Sequence, residues 1–165
     1  MSEVPDWIRQ RNAANERAAA EANERSQQAI EASMLVAKQG PEVWQRFIKA
    51  LAINAKALAE LKGENLFGST TPIGTPGAET SCQVNVDWRN TSESGPELRV
   101  LVFHYDRGTT GIRVTLQSWK ETDMPFRIQH DSQVGIEYDG HVFTPEKAAE
   151  RIIHDMAKSA KKRAA

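Results

Sequence analysis

The order of polar and apolar positions first sets apart residues 1–39 as a polar segment. From Trp7 to Lys38 there is no proline or glycine, and no apolar side chain larger than alanine lies between Ile8 and Ile30. Strong helix formers dominate this stretch, so the pattern predicts one long helix. Because such a helix offers little apolar area to bury, we expect a solvated arm that reaches a partner, or alternatively a partly frayed tail.

The next segment, residues 40–63, predicts a helix that packs against a core. Gly40 is expected to end the first helix, and Pro41 is expected to begin a second one over residues 41–62, closed by Gly63. Its apolar side chains recur at the three- and four-residue spacing of one helix face. They are Trp44, Phe47, Ile48, Leu51, Ala55, Leu58 and Ala59.

Residues 64–80, ENLFGSTTPIGTPGAET, combine glycines, prolines and threonines. That composition predicts a linker, or an ordered loop if its apolar residues find pockets. The stretch lacks the glycine-lysine-serine or glycine-lysine-threonine ending that a phosphate-binding loop requires.

Residues 81–160 predict an antiparallel sheet followed by a helix. Apolar and polar residues alternate along SCQVNVDWR, and further strands follow with short connections, among them the hairpin signal Asp139-Gly140. Thr144 and Pro145 are typical of a helix start, which predicts a helix over residues 145–160 ahead of a basic tail, 161–165. The expected fold is α+β: a meander of five to six strands packed by helices 41–62 and 145–160, after the long polar N-terminal helix.

Three candidate ligand or catalytic side chains are expected at one rim of this sheet. In a meander, Cys82, His104 and His130 reach the same edge, and the alternation places all three on the helix-covered face. Cys82 and His104 on adjacent strands would then form a nucleophile and base pair, and His130 would add a third ligand for zinc. The alternative is a buried thiol beside polar strand ends.

The other face of the sheet carries a second candidate surface. Leu101, Phe103, Tyr105 and Trp119 are expected there, and left open they would form a protein interface. Alternatively, the linker residues 66–67 or the N-terminal helix cover them. Stacking of nucleic-acid bases on these aromatic residues is disfavoured, because residues 81–143 carry nine acids and six bases.

Composition narrows the choice of function. The chain has 21 Lys and Arg against 22 Asp and Glu, which gives no overall reason to expect a nucleic-acid partner. The six bases of residues 144–165 are typical of a helix C-terminus, and the alternative is a basic tail that binds nucleic acid or an anionic lipid surface. No apolar run is long enough for a membrane span, and the single cysteine with a polar N-terminus favours the cytoplasm.

The stretch VFHYDRGTTG, residues 102–111, is predicted as a strand end and a turn. No motif indicates a cofactor. We therefore expect a non-enzymatic interaction or assembly module, acting on a protein partner or on another copy of itself through the N-terminal helix and the aromatic sheet face. The alternative is a small-molecule-binding or hydrolytic protein with the Cys/His rim site.

Overall fold

The computed structural model describes residues 3–88, 99–116 and 120–164. Within these residues, two helices flank seven strands, and a short 3-10 turn, Leu58–Glu60, follows the first helix. The elements are α1 (Asp6–Ala57), β1 (Leu66–Thr75), β2 (Ala78–Trp88), β3 (Arg99–His104), β4 (Gly111–Leu116), β5 (Glu121–Ile128), β6 (Val134–Tyr138), β7 (His141–Phe143) and α2 (Pro145–Ala164).

The predicted α+β class with an antiparallel meander is confirmed. The strands lie side by side in chain order, and each pairs with the next in antiparallel fashion. The predicted count of five to six strands is wrong, since residues 66–75, interpreted as linker or loop, form β1 against β2. This edge strand tolerates Pro72 because, among the described residues, no strand pairs with its outer side.

The predicted break at Gly40-Pro41 is also wrong, because α1 continues through both residues. Glycine before proline has no Cβ to clash with the proline ring, so the helical conformation survives there. Gly40 is buried, and a Cβ added to it would lie 2.8 Å from the Tyr105 hydroxyl. Any larger residue at this position would therefore force the Tyr105 hydroxyl to move.

The chain divides into two compact units, Met1–Leu35 and Val36–Ala165, and the boundary falls inside α1. In the second unit, the C-terminal part of α1 and α2 cover one face of the sheet. Phe47 meets Phe103 edge to face at 5.2 Å between ring centroids, and Trp44 stacks on Tyr105 at 5.6 Å. The core side chains of the sheet are Leu66, Cys82, Val84, Val86, Leu101, Phe103, Tyr105, Ile112, Val114, Met124, Phe126, Val134 and Ile136.

Polar contacts hold the two helices in place over the sheet. The Gln39 amide accepts from the backbone N–H of Val134 (2.9 Å) and donates to the carbonyl of Ser132 (3.3 Å). Arg46 of α1 and Glu146 of α2 form a two-point ion pair at 2.7 and 2.8 Å. In the part of the chain that the structure describes, neither helix combines the length and the apolar character needed to cross a bilayer.

Candidate functional site

Residues 6–35 of α1 form a helical arm whose side chains are almost all exposed. No residue of α1 before Gly40 is buried. The large apolar side chains Trp7, Ile30 and Met34 are 63, 60 and 67 % exposed. The described residues before position 36 therefore do not bury these side chains, and this part of α1 contributes no core.

One side of this arm carries no charge. At about 100° per residue, eight residues at three- and four-residue spacing lie within about 45° of the direction of Ile8. This uncharged strip consists of Ile8, Asn12, Asn15, Ala19, Ala22, Ser26, Ile30 and Ser33. The arm's ionisable side chains all lie outside that quarter of the helix surface, and small side chains occupy its middle.

A row of polar side chains crosses four strands on the sheet face opposite the helices. Strand register places Ser81 opposite His104, His104 opposite Arg113, and Arg113 opposite Asp123. We call these four residues the polar row. Directly opposite residues in an antiparallel sheet have Cβ atoms about 5 Å apart, so the four side chains are neighbours.

The polar row borders a cavity of about 300 Å³ at the turn between β3 and β4. His104, Arg113 and Asp123 line it, together with Asp106 and residues 109–111 of the turn. The Ser81 hydroxyl lies 2.8 Å from Nδ1 of His104, which fixes the imidazole ring on this face. The turn itself is closed by the Thr109 hydroxyl, which lies 2.7 Å from the Asp106 carbonyl and donates to it.

Cys82 does not lie beside His104, and that predicted pair is wrong. The register pairs Cys82 with Phe103 and pairs Ser81 with His104, so the thiol faces the helices and the imidazole faces the other way. Cys82 is 1 % exposed, and burial, with a smaller effect of the Glu79 charge, raises its pKa to about 11. A thiol in that state is a core side chain and not a nucleophile.

The predicted three-ligand metal group is also wrong, because its members lie apart. His130 lies exposed in the turn between β5 and β6, while Cys82 is buried on the helix side of the sheet. Among residues 3–88, 99–116 and 120–164, no group of three or more His, Cys, Asp or Glu side chains is arranged to hold a metal ion.

The predicted aromatic interface is covered by α1. Leu101, Phe103 and Tyr105 are 8, 1 and 5 % exposed, and the last two contact the rings of α1. Trp119, the fourth member of that surface, lies outside the described residues. Leu101, Phe103 and Tyr105 therefore belong to the core, as in the alternative that the first helix covers them. The part of α1 after Gly40 makes this contact.

Sequence reasoning overlooked Ser81, Arg113 and Asp123. The available signal was side-chain size along β3: its large residues Phe103 and Tyr105 alternate with valines and His104, which favours the aromatic side as the core. That choice would have placed His104 on the opposite face with Arg113.

Comparisons with protein-family models, with curated proteins and with solved structures gave no match. Function therefore has to be inferred from the arm, the sheet and the cavity themselves.

Proposed function

We propose that this chain is a non-enzymatic assembly module whose helical arm, residues 6–35, pairs with the arm of a second copy. The observation that supports it best is the exposure of Ile30 in the uncharged strip, on a stretch of α1 that has no buried residue before Gly40. Trp7 and Met34 are exposed as well, and at about 100° per residue they lie on either side of the strip, about 100° and 80° from its axis. Exposed apolar side chains of this size on a regular helix are typical of a helix that packs on a partner.

The charge distribution favours an antiparallel pair. Residues 6–17 carry three bases and two acids, while residues 18–35 carry one base and three acids. Two antiparallel arms would bring the first half of each against the second half of the other, so that charges of opposite net sign meet. A two-fold symmetric pair of this kind is self-complementary and closes without further growth.

The uncharged strip fits the same arrangement. In an antiparallel pair centred about midway between Ile8 and Ser33, Ile8 of one copy meets the Ile30 and Ser33 end of the other. Ala19 and Ala22 then lie at the centre, where small side chains let the two backbones approach closely. The aromatic sheet face takes no part in this proposal, because the helices of the second unit, Val36–Ala165, cover it. We call this second unit the folded unit.

The test is a pair of matched substitutions in the full chain. Ala22→Glu introduces a charged, larger side chain at the centre of the strip, and we expect it to convert dimer to monomer. Ala14→Glu makes the same replacement at an exposed position about 120° from the strip, and it should leave the dimer intact. Both variants cost similar helix propensity, so they separate pairing from helix stability.

Size-exclusion chromatography with light scattering and analytical ultracentrifugation measure the molecular mass at several concentrations and salt levels. A wild-type chain that stays monomeric at the highest soluble concentration overturns the proposal. Dimers that persist equally in both variants overturn the assignment to the strip. Helix content from circular dichroism must be the same in all three proteins, which excludes loss of the arm helix as the cause.

A further inference from the structure

The cavity beside the polar row contains unpaired groups of both charges. Arg113 is exposed and lies between His104 and Asp123 in the register. Among the described residues, neither Arg113 nor Asp123 takes part in an ion pair. Asp106 adds a second carboxylate to the cavity lining. A guanidinium and two carboxylates therefore border the same space.

The residues around these charges add directed hydrogen-bonding groups. Ser81 binds Nδ1 of His104 and leaves Nε2, the second ring nitrogen, outside that contact. Thr110 lines the cavity at the turn, while the Thr109 hydroxyl is engaged with the turn backbone. The backbone there is fixed, since the N–H of Phe126 donates to the carbonyl of Thr110 at 2.9 Å.

We propose that this cavity binds a free α-amino acid as its zwitterion. The ligand carboxylate accepts hydrogen bonds from Arg113, whose planar guanidinium matches a carboxylate at two points. The ligand ammonium donates to Asp123 and Asp106. The two halves of the ligand are a few bonds apart, which suits an arginine and an aspartate directly opposite each other on neighbouring strands.

The charges argue against other small ligands. Two carboxylates would repel a phosphate dianion, and a simple cation would meet the Arg113 charge at close range. A volume of about 300 Å³ lies at the low end of ligand pockets, which restricts the ligand to a small molecule. The site lies in the folded unit and does not depend on the arm, so its failure leaves the proposed assembly role untouched.

The test uses the full chain labelled with ¹⁵N and each common L-amino acid added singly at millimolar concentration. We expect at least one of them to shift the amide signals of residues 104–113 in a saturable manner. Its N-acetyl derivative lacks the ammonium and its amide lacks the carboxylate, and each should bind at least about tenfold more weakly.

Substitutions in the chain locate the contacts. Arg113→Gln and Asp123→Asn should each weaken binding about ten- to a hundredfold, because each removes a charged hydrogen-bonding partner. Arg151→Gln, at an exposed position on α2 across the sheet, is the matched control and should bind as the wild type does. Arg113 and Asp123 are exposed, so both variants should fold, which the dispersion of the amide spectrum verifies.

Three results would overturn the proposal: no saturable shift with any amino acid, equal binding of the N-acetyl derivative, or wild-type affinity in both Arg113→Gln and Asp123→Asn.

Discussion

Replacing Phe103 by alanine tests which face of the sheet is the core. Phe103 is 1 % exposed and meets Phe47 edge to face. Burial of a phenylalanine side chain contributes about 1.5–3 kcal/mol, and an aromatic pair adds about 0.5–1.5 kcal/mol. With the cavity that alanine leaves behind, Phe103→Ala should lower the free energy of unfolding by about 3–5 kcal/mol. For a chain of this length, the melting temperature should fall by about 10 °C.

Val102→Ala is the matched control, since Val102 is the adjacent residue of β3 and is half-buried on the opposite face. Its two lost methyl groups are partly in water already, so we expect a loss of about 1 kcal/mol. Urea unfolding followed by tryptophan fluorescence measures both variants, because Trp44 lies in the core beside these residues. If Phe103→Ala costs no more than Val102→Ala, the aromatic face is open and the register described above is incorrect.

Two further predictions follow from ionisable groups of the folded unit. At neutral pH, a thiol reagent should label Cys82 in the native chain at least about a hundredfold more slowly than in urea. The reason is that its pKa of about 11, against an ordinary 9.0, reduces the thiolate fraction by that factor. Comparable labelling rates in the two states would contradict the burial of Cys82. The hydrogen bond from Arg46 holds the pKa of Glu146 below its ordinary value. The pair therefore stabilises the fold fully at a pH above the ordinary pKa of glutamate, and this stabilisation is lost as the pH falls through the lower pKa of the folded state. Both side chains are about half exposed, so the pair contributes little. The free energy of unfolding of the wild type should exceed that of Glu146→Gln by less than about 1 kcal/mol at neutral pH, and the two should be equal in acid. Urea titrations at several pH values would measure this difference.

Local chemistry made part of the fold predictable from the sequence. Asp139 and Gly140 both adopt positive φ, at 51° and 77°, as the two-residue hairpin between β6 and β7 requires. The Thr144 hydroxyl accepts from the backbone N–H of Lys147, and Pro145 takes the first helical position of α2. Each of these features depends on residues only a few positions apart, so it can be predicted from the local sequence alone.

Features that depend on distant packing were not predictable in the same way. Gly40-Pro41 is a strong stop signal by itself, yet α1 continues through both residues, and the buried Gly40 lies against the Tyr105 hydroxyl of the sheet. Gly68 of β1 is similar: a Cβ there would lie 2.7 Å from the carbonyl oxygen of Ala55. In residues 66–75 a composition typical of loops therefore forms a strand, because its glycine allows contact with the end of α1.

Which side chains form the candidate site depends on the register of β2 against β3, which is set by long-range contacts. A shift of one residue moves every side chain of a strand to the other face. Pairing Cys82 with His104 would have given a thiol and an imidazole; the observed pairing of Ser81 with His104 gives the polar row. The alternation of β2 and β3 is compatible with both registers, and the difference is made by the helix rings that pack on Phe103 and Tyr105. The packing of α1 on the sheet thus determines which residues line the cavity, and a substitution that loosens this packing should also weaken the proposed amino-acid binding at Arg113.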